Sequence, residues 1–414
     1  MPMSESVGSV WGKAGATGAF HLPAGIPRPT SPTAIPDHAE VIIVGGGIYG
    51  AWTALEAALR GMRVVLCERR TWASGTSSAS SKLIHGGLRY LEHGDVGLVR
   101  KALLERSRLL RLAPHRVRPL RFVVPVTRHG RLTRAQLYAG LWLYDALAGN
   151  LAGVERHAAW SRAELLAAAP FLHAQELLGG FTYGDAGTDD AALTRDVVAA
   201  AQAAGAVCCE HTPISELVRE HGAVVGVRLA DGHVLRAPTT VLTTGPWAFA
   251  LAGLDPQAAA RFTKGVHLVL PALPLGRSLP VKDSAFLLTA PRDGRVFFLI
   301  PWQGGTMVGT TDTDFGDAPD SVRIEDDDVR YLLEAVAATC PGLGWRERDI
   351  RSSWVGLRTL QPGGATASAL TREWELRRPE PGLLLPVGGK LTSARVEAVT
   401  MVDTLQRIAA KEDA

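Results

Sequence analysis

Gly45, Gly47 and Gly50 form a G-x-G-x-x-G pattern, and an acidic residue, Glu68, follows it. The first glycine of such a pattern permits a tight turn, the second lets backbone approach a pyrophosphate, and the third lets a helix pack closely on a strand. The start of that helix offers N–H groups and the positive end of its dipole to the pyrophosphate. A carboxylate at position 68 accepts hydrogen bonds from an adenosine ribose and repels a 2′-phosphate, so the pattern predicts a dinucleotide other than NADP.

The elements around these residues form a βαβ unit. The apolar run 41–44 is typical of a buried parallel strand, and apolar residues then recur at helical spacing from Ile48 to Leu59. A second apolar strand, 63–67, ends at Glu68. Because strands, helix and acid occur together, nucleotide binding is favoured over a bare structural turn. The hydroxyl-rich run 76–82 comes next, and we predict that it contacts phosphate rather than forming a plain polar loop.

Parallel α/β segments alternate with antiparallel segments along the rest of the chain. Asp231-Gly232 marks a hairpin, and segment 264–312 has the strand pattern of an antiparallel sheet. The predicted fold class is therefore α/β: a Rossmann-like nucleotide-binding domain with a second, mostly antiparallel β-sheet substrate domain that also carries helices. The predicted divisions are a disordered leader at 1–38, a discontinuous nucleotide domain at 39–121, 184–262 and 352–414, and a substrate domain at 122–183 and 263–351.

Composition excludes several classes of protein. A net charge of +3 is too small to indicate nucleic-acid binding, and 46 % hydrophobic with 21 % charged residues is ordinary for a globular protein. The four cysteines form no C-x-x-C pair, so we predict no metal site and no disulfide frame, as in a reducing cytoplasm. The leader lacks a secretory signal, and no stretch reaches the ~20 apolar residues of a spanning helix.

Segment 135–144 allows two interpretations. A buried helix is the simpler one, because its apolar residues are closely spaced. A helix lying on a membrane surface is the alternative, favoured by Trp142, two tyrosines, and Arg131 and Arg134 just before the segment. The sequence leaves both open.

Several stretches match one known family. They are residues 41–68, 76–93, 244–247, 264–267, 309–312 and 388–392. On these stretches the chain closely resembles FAD-dependent glycerol-3-phosphate dehydrogenases, within the wider glycine/D-amino-acid oxidase-type flavoprotein superfamily. The resemblance covers about residues 38–410, and the run from Ser80 through Tyr90 is long and specific to the family.

The resemblance implies a cofactor, a reaction and partners. FAD is the implied cofactor, which makes the nucleotide half a Rossmann-like FAD-binding domain. The implied substrate is a small phosphorylated polyol: sn-glycerol 3-phosphate is oxidised to dihydroxyacetone phosphate, and a hydride passes to flavin N5. Electrons then move to a quinone or another acceptor. The implied location is the cytoplasm, with peripheral contact to the inner face of the cell membrane as one option.

The resemblance also assigns site residues. The catalytic positions fall on His267 and Arg358. The implied substrate-binding residues are Arg89, Tyr90, Arg372, Lys390 and Thr392. The implied cofactor-binding residues are Gly45, Gly47, Ile48, Gly50, Glu68, Thr76, Ser77, Ser81, Lys82, Leu83, His85, Gly86, Gly87, Gly245, Gly388, Gly389, Lys390, Leu391 and Thr392.

These assignments agree with the chemistry of the reaction. Oxidation of a secondary alcohol needs a base for the hydroxyl proton, and histidine has a suitable pKa. His267 is the candidate that the motif favours, with His85 as its competitor. A phosphate dianion needs several cations, which the arginines and Lys390 supply. The helix that follows Gly388 and Gly389 can place its N-terminus at the flavin pyrimidine carbonyl and stabilise negative charge there.

Two other functions remain open on the sequence. An amine or amino-acid oxidase of the same superfamily could use arginine to bind a carboxylate, although several dispersed cations favour phosphate. A non-catalytic flavin-binding subunit is the alternative from another class, and the presence of His267, Arg358 and Lys390 argues against it. Activity with glycerol 3-phosphate and a dye acceptor would separate the three.

Overall fold

A computed structural model describes residue 22 and residues 34–149, 153–276, 283–363 and 374–412. Most of the predicted leader and the predicted substrate residue Arg372 lie outside the described residues. The described α-helices are α1 (Ile48–Leu59), α2 (Val96–Leu112), α3 (Arg134–Ala148), α4 (Arg162–Ala168), α5 (Asp190–Ala203), α6 (Ala248–Ala252), α7 (Pro256–Ala259), α8 (Asp326–Thr339) and α9 (Ala394–Glu412). Short 3₁₀ helices include Thr76–Ser78, Leu88–His93, Gly245–Trp247 and Pro319–Ser321.

The described β-strands alternate with these helices in the first part of the chain and follow one another in the middle part. They are β1 (Val41–Val44), β2 (Val64–Cys67), β3 (Leu83–Ile84), β4 (Val117–Thr127), β5 (Ala158–Ser161), β6 (Leu177–Thr188), β7 (Val207–Cys209), β8 (Ile214–Glu220), β9 (Ala223–Leu229), β10 (Val234–Arg236), β11 (Thr239–Leu242), β12 (Arg261–Leu270), β13 (Ala285–Thr289), β14 (Val296–Trp302), β15 (Gly305–Gly309), β16 (Thr313–Phe315), β17 (Ser352–Leu360), β18 (Glu375–Arg377) and β19 (Leu383–Val387).

One sheet carries the glycine-rich segment. Its described strands run in the order β18-β19-β11-β1-β2-β7, and all neighbours are parallel except β18 with β19. Strand β1 lies between β2 and β11, so connections leave it on opposite sides. Ligands of open α/β sheets bind at the carboxyl ends of strands where the order reverses in this way.

The apolar run of β1 explains why it lies at the centre of this sheet. Val41 and Ile43 pack into a core that includes residues of α1, α5 and α9. Ile42 and Val44 face the opposite side, against residues of β8, β9 and β10, which form a small antiparallel sheet. A parallel strand covered on both faces needs a continuous apolar sequence, and β1 has one.

A larger, mostly antiparallel sheet forms the other layer. Its described strands run in the order β16-β12-β15-β14-β13-β4-β6-β3, while β17 pairs with β12 and β5 pairs with β6. The predicted fold class is confirmed: a parallel nucleotide-binding sheet with helices stands beside a mostly antiparallel sheet. The predicted domain boundaries stay a prediction. Part of β4 and all of β17 belong to the larger sheet but fall in the segments assigned to the nucleotide domain.

Helices α3 and α4 begin at reciprocal caps. Ser161 and Glu164 form a capping box, in which each side chain accepts the other residue's backbone N–H, at 3.2 and 2.7 Å. Thr133 and Gln136 form an equivalent box at the start of α3. Such caps fix where a helix starts because they satisfy N–H groups that have no partner inside the helix.

Segment 135–144 lies within helix α3, which is buried on one face. Its residues Leu137 and Leu141 are buried, while Tyr138 and Trp142 are 51 % and 60 % exposed. One face therefore packs on the protein and the other presents aromatic rings to the outside. Among the described residues, no helix has an apolar stretch long enough to span a membrane.

Candidate active site

A cavity of about 470 Å³ opens at the carboxyl ends of β1, β2 and β11. Its lining includes Glu68 after β2, Arg358 in β17 and Lys390 before α9. Predicted residues in its lining are Gly45, Gly47, Ile48, Glu68, Thr76, Ser77, Gly245, Arg358, Gly388, Gly389, Lys390 and Leu391. Its size is in the range of small-molecule and cofactor sites.

The glycine pattern produces this cavity through backbone packing. Gly45 has φ of +109°, a conformation that side chains disfavour. A Cβ on Gly50 would overlap the carbonyl oxygen of Gly45, so α1 can approach the β1 turn only with glycine at that position. A Cβ on Gly47 would lie 3.1 Å from the Ser77 hydroxyl. The absence of a side chain at this position keeps the helix N-terminus open to the cavity. The tight turn at Gly45 and the close packing at Gly50 agree with the pattern, while the pyrophosphate contact of Gly47 stays a prediction.

Glu68 is oriented by main-chain donors. Its Oε2 accepts the N–H of Gly46 at 2.7 Å, and its Oε1 accepts the N–H of Arg70 at 2.8 Å. A carboxylate offers about four acceptor sites, so two of them remain for ribose hydroxyl groups. This orientation supports the predicted contact between Glu68 and a ribose.

Two residues of the hydroxyl-rich run form hydrogen bonds to other parts of the protein. Ser77 Oγ accepts the N–H of Ile48 at 2.9 Å, so this side chain caps the first turn of α1. Thr76 Oγ1 donates to the carbonyl of Leu357 at 2.9 Å, which joins the run to β17 of the larger sheet. Both residues line the cavity. The link to β17 was not predicted.

Lys82 is held by a buried ion pair. Its Nζ lies 2.6 Å from Oδ1 of Asp190, whose side chain is fully buried at the start of α5, and 2.5 Å from the carbonyl of Ser78. Ser80 donates its hydroxyl to the same carboxylate at 2.6 Å. The lysine thus lies beside the cavity lining instead of within it, and its charge fixes the hydroxyl-rich run.

A tight turn lies between β19 and α9. Gly388 and Gly389 have φ of +80° and +85°, and Leu391 follows in the cavity lining. The N–H of Lys390 donates to the hydroxyl of Tyr49 at 3.0 Å. Tyr49 occupies one of the x positions of the G-x-G-x-x-G pattern, and no local signal predicts this contact.

His267 lies in β12 and is buried. Its Nε2 is 2.9 Å from Ser81 Oγ, and its Nδ1 has no hydrogen-bond partner among the described residues. Burial holds the pKa of His267 well below its ordinary value, and the positive charges of Arg358 and Lys82 lower it further. The imidazole is therefore neutral near pH 7, which is the form that can accept a proton.

Arg358 lies in β17 and reaches the cavity lining. Its guanidinium donates to the hydroxyl of Thr310 at 2.8 Å, to the carbonyl of Thr311 at 3.3 Å and to Asp312 at 3.1 Å. A Cβ on Gly265 would collide with this guanidinium, so glycine in β12 makes room for it. The predicted catalytic residues His267 and Arg358 thus lie on adjacent, paired strands.

Several predicted substrate residues converge on one aromatic ring. The Nζ of Lys390 lies 3.7 Å from the ring centroid of Tyr90, and the guanidinium carbon of Arg89 lies 5.9 Å from it. Thr392 Oγ1 accepts the N–H of His85 at 3.1 Å, which ties the loop before Leu88–His93 to the start of α9. Two cations and a phenol ring are therefore gathered at Lys390, which lines the cavity, whereas Arg89, Tyr90 and Thr392 lie outside the lining.

Leu83, Gly86 and Gly87 support this loop. Leu83 belongs to β3 and packs in the core around Tyr90. Gly86 donates its N–H to the hydroxyl of Tyr144 at 2.9 Å, and Gly87 has φ of +76° at the start of Leu88–His93. These three predicted cofactor residues shape the backbone beside the cavity.

A buried network lies behind Gly86, and sequence reasoning missed it. Tyr144 donates to Asp185 at 2.8 Å, and Arg106 pairs with the same carboxylate at 2.8 Å while only 1 % of its side chain is exposed. Burial is the main cause that raises the pKa of Asp185, and the Arg106 charge opposes it. Long-range ion pairs of this kind leave no local pattern in the sequence.

The cavity wall near Glu68 contains further residues that were not predicted. Arg69 lies 4.6 Å above the ring of Trp247 and pairs with Asp320 at 2.8 Å. Thr244 Oγ1 is buried without a hydrogen-bond partner among the described residues. The motif Thr244-Gly245-Pro246-Trp247 was a signal for this region, although only Gly245 was named as a contact.

A family profile described as FAD dependent oxidoreductase matches residues 40–388. The chain belongs to this family. The glycine turn, the oriented Glu68 and the unpartnered Thr244 hydroxyl are features that a bound dinucleotide would use, so the cavity fits FAD, and the predicted cofactor is confirmed.

Curated relatives share most of this chain. A glycerol-3-phosphate dehydrogenase of Mycobacterium leprae is 39 % identical over 374 residues, which are 88 % of this chain and 62 % of that protein. The aerobic glycerol-3-phosphate dehydrogenase of Bacillus subtilis is 37 % identical over 376 residues, or 89 % of this chain and 66 % of that protein. This chain therefore spans a little under two thirds of the length of these relatives.

Solved structures give the same picture of the fold. The glycerol-3-phosphate dehydrogenase of Bacillus halodurans, complexed with FAD, has a TM-score of 0.69 and 29 % identity, with 89 % of this chain and 64 % of that chain covered. Glycine oxidase of Geobacillus kaustophilus has a TM-score of 0.67 at 21 % identity, covering 90 % of this chain and 95 % of that one. The second likeness shows the fold alone.

Proposed function

We propose that this chain oxidises sn-glycerol 3-phosphate to dihydroxyacetone phosphate with FAD. The observation that carries the proposal is the grouping of Arg89 and Lys390 around Tyr90, because Lys390 lines the same cavity as the dinucleotide pattern. Two cations at one place suit a phosphate dianion. Relatives that share most of the chain are named glycerol-3-phosphate dehydrogenases, which supports the same substrate.

The reaction needs a hydride acceptor and a proton acceptor. Bound FAD supplies the hydride acceptor. His267 takes the proton of the substrate hydroxyl. In the tautomer with hydrogen on Nε2, Ser81 Oγ accepts that hydrogen and Nδ1 carries the lone pair that receives the proton. The low pKa of His267 keeps this lone pair available near pH 7.

Arg358 provides positive charge beside the base. Its ion pair with Asp312 and its bonds to Thr310 and Thr311 hold the guanidinium in one place. A fixed cation stabilises negative charge that develops on the substrate oxygen as the proton leaves. The same cation lowers the pKa of His267, so the two residues act together.

The alternative of an amine or amino-acid oxidase rests on the shared fold. Glycine oxidases have similar structures, at identities near 20 %. A carboxylate carries one negative charge, whereas the cations around Tyr90 match a dianion better. An assay of the purified protein with a dye acceptor decides between them: we expect turnover with glycerol 3-phosphate and formation of dihydroxyacetone phosphate. Turnover with an amino acid instead would reject the proposal, and no turnover with either would favour a non-catalytic subunit.

We also propose that electrons leave to a quinone and that the aromatic face of α3, formed by Tyr138 and Trp142, contacts the membrane surface. Arg134 lies against Gly179, whose neighbour Leu178 is 47 % exposed. Exposed aromatic and aliphatic groups beside basic side chains suit an anionic bilayer surface.

Vesicle sedimentation tests the membrane contact. We expect binding to vesicles with anionic lipid, and weaker binding for Trp142→Ser and Arg134→Ala. Arg330→Ala is the matched control, because its side chain is 63 % exposed in α8. Equal binding of all variants would exclude this face as the contact surface.

A further inference from the structure

A hydrogen-bonded group that the proposed reaction does not use joins helices α1, α2 and α9. Tyr49 in α1 donates its hydroxyl to Oε2 of Glu397 in α9. Lys101 in α2 has its Nζ 2.7 Å from Oε1 of the same carboxylate. We name these three residues the helix clamp.

The helix clamp touches the turn that ends at Lys390. The Tyr49 hydroxyl accepts the N–H of Lys390 at 3.0 Å. A Cβ on Gly389 would overlap this phenol oxygen, so the turn is wrapped closely around it. The left-handed backbone of Gly388 and Gly389 allows that approach.

Burial determines which groups donate and which accept in the hydrogen bonds of the Tyr49 hydroxyl. The Glu397 side chain is 2 % exposed and Lys101 is 38 % exposed, so the clamp runs from the interior to the surface. Burial, and then the Glu397 carboxylate, raises the pKa of Tyr49 well above its ordinary value. The phenol therefore keeps its proton, donates it to Glu397 and accepts from Lys390. A buried carboxylate needs such partners, and Tyr49 and Lys101 supply them.

We propose that the helix clamp is a positioning device that holds Gly388, Gly389 and Lys390 in the shape that receives FAD. Tyr49 and all three turn residues line the cavity. Because the clamp bonds to the main chain of the turn, its loss frees the turn to move while the helices stay packed. The clamp therefore sets how tightly FAD is retained. The inference depends on the cofactor and is independent of the substrate.

Titration of the apoprotein with FAD, followed by quenching of flavin fluorescence, tests the proposal. We expect Tyr49→Phe to weaken FAD binding about tenfold, equivalent to 1.4 kcal/mol, because it removes the acceptor of the Lys390 N–H. Glu397→Gln should weaken binding less, since an amide oxygen can still accept from Tyr49. Lys101→Met should have the smallest effect, because its side chain is partly exposed.

Two matched variants separate positioning from general packing. Glu105 is buried and joins α2 to α9 through Arg395, at 2.9 and 3.0 Å. Glu105→Gln should lower the apoprotein melting temperature and leave FAD affinity unchanged. Tyr331→Phe removes a similar hydrogen bond, from the Tyr331 phenol to Asp293 at 3.1 Å. This change should also leave FAD affinity unchanged.

The outcomes are distinct. A change in FAD affinity and in the visible absorption of bound flavin in Tyr49→Phe, with neither change in Glu105→Gln, supports the clamp. Unchanged affinity in Tyr49→Phe and Glu397→Gln, or an equal loss in Glu105→Gln, overturns it. Should Tyr49→Phe apoprotein fail to fold by circular dichroism, Glu397→Gln and Lys101→Met decide, and unchanged affinity in both rejects the proposal.

Discussion

The imidazole of His267 lies parallel to the indole of Trp354, with ring centroids 5.4 Å apart and 18° between the planes. The two residues are direct partners in the register of β12 and β17. One face of the imidazole is therefore covered, while Ser81 fixes its Nε2. A general base must be held in position to act, and this pairing of strands provides the position.

Replacement of His267 by alanine is expected to preserve FAD content and slow the reduction of flavin by glycerol 3-phosphate. Loss of a positioned base lowers a rate by about 10²–10⁴-fold. Anaerobic stopped-flow absorbance measures the reduction. His129→Ala is the control, since that side chain is 87 % exposed. Reduction at the wild-type rate in His267→Ala would assign the proton to another group, with His85 as the next candidate.

The pH dependence of flavin reduction follows from the lowered pKa of His267. Its free-solution pKa is about 6.5, and burial disfavours the charged form, so the folded protein keeps the base neutral below that pH. We expect the rate to stay high as pH falls through 6.5 and to decline only at lower pH. A decline centred at or above the ordinary histidine pKa would contradict a buried neutral base.

Much of the fold could be predicted from local patterns. Strand β1, helix α1 and the Ser161–Glu164 cap have signals in a few neighbouring residues. The pairing of β17 with β12 joins residues far apart in the chain, and no local pattern encodes it. This is why segment 352–414 was assigned to the nucleotide half although β17 extends the larger sheet.

Phosphate recognition is expected to depend on the cations around Tyr90. Arg89→Ala and Lys390→Met each remove charge-assisted hydrogen bonds of about 1.5–3 kcal/mol, so kcat/KM for glycerol 3-phosphate should fall about 10–100-fold. Glycerol lacks the phosphate, and its poor turnover should change much less. Steady-state kinetics with both substrates measures the difference. An equal loss for both would mean that these residues do not bind the phosphate.

The third glycine of the pattern gives a steric prediction. Gly50→Ala places a methyl group on the carbonyl oxygen of Gly45, so α1 must shift and FAD binding should be lost or strongly weakened. Gly140→Ala is the control, because a Cβ there meets nothing within 4 Å in another helix, α3. That change should leave FAD binding intact and raise stability by up to about 1 kcal/mol. Retention of FAD in Gly50→Ala would contradict the close packing.

The ion pair of Lys82 with Asp190 predicts a stability effect. Asp190→Asn leaves the buried lysine without its counter-charge and should lower the free energy of unfolding by about 3–5 kcal/mol. Urea unfolding of the apoprotein measures it. Asp327→Asn is the control, since that carboxylate is 85 % exposed in its pair with Arg330. A small effect in Asp190→Asn would contradict this prediction, and loss of FAD binding in Lys82→Met would then favour the predicted cofactor role of Lys82.

In the site, as in the fold, residues of one local unit could be predicted and residues with distant partners could not. Gly45, Gly47 and Glu68 could be predicted because their spacing reflects one local unit. Tyr49 and Asp190 could not, because their roles depend on Lys390 and Lys82, which are distant in sequence. Arg372 lies outside the described residues, so its assignment to the substrate stays a prediction.

Anaerobic reduction of the bound flavin tests the central proposal most directly. Purified protein with FAD is mixed with sn-glycerol 3-phosphate, glycerol, glycine or an L-amino acid, and the visible flavin absorbance is followed. We expect bleaching by sn-glycerol 3-phosphate with an equal amount of dihydroxyacetone phosphate, and little change with the others. Bleaching by an amino acid but not by sn-glycerol 3-phosphate would contradict the account.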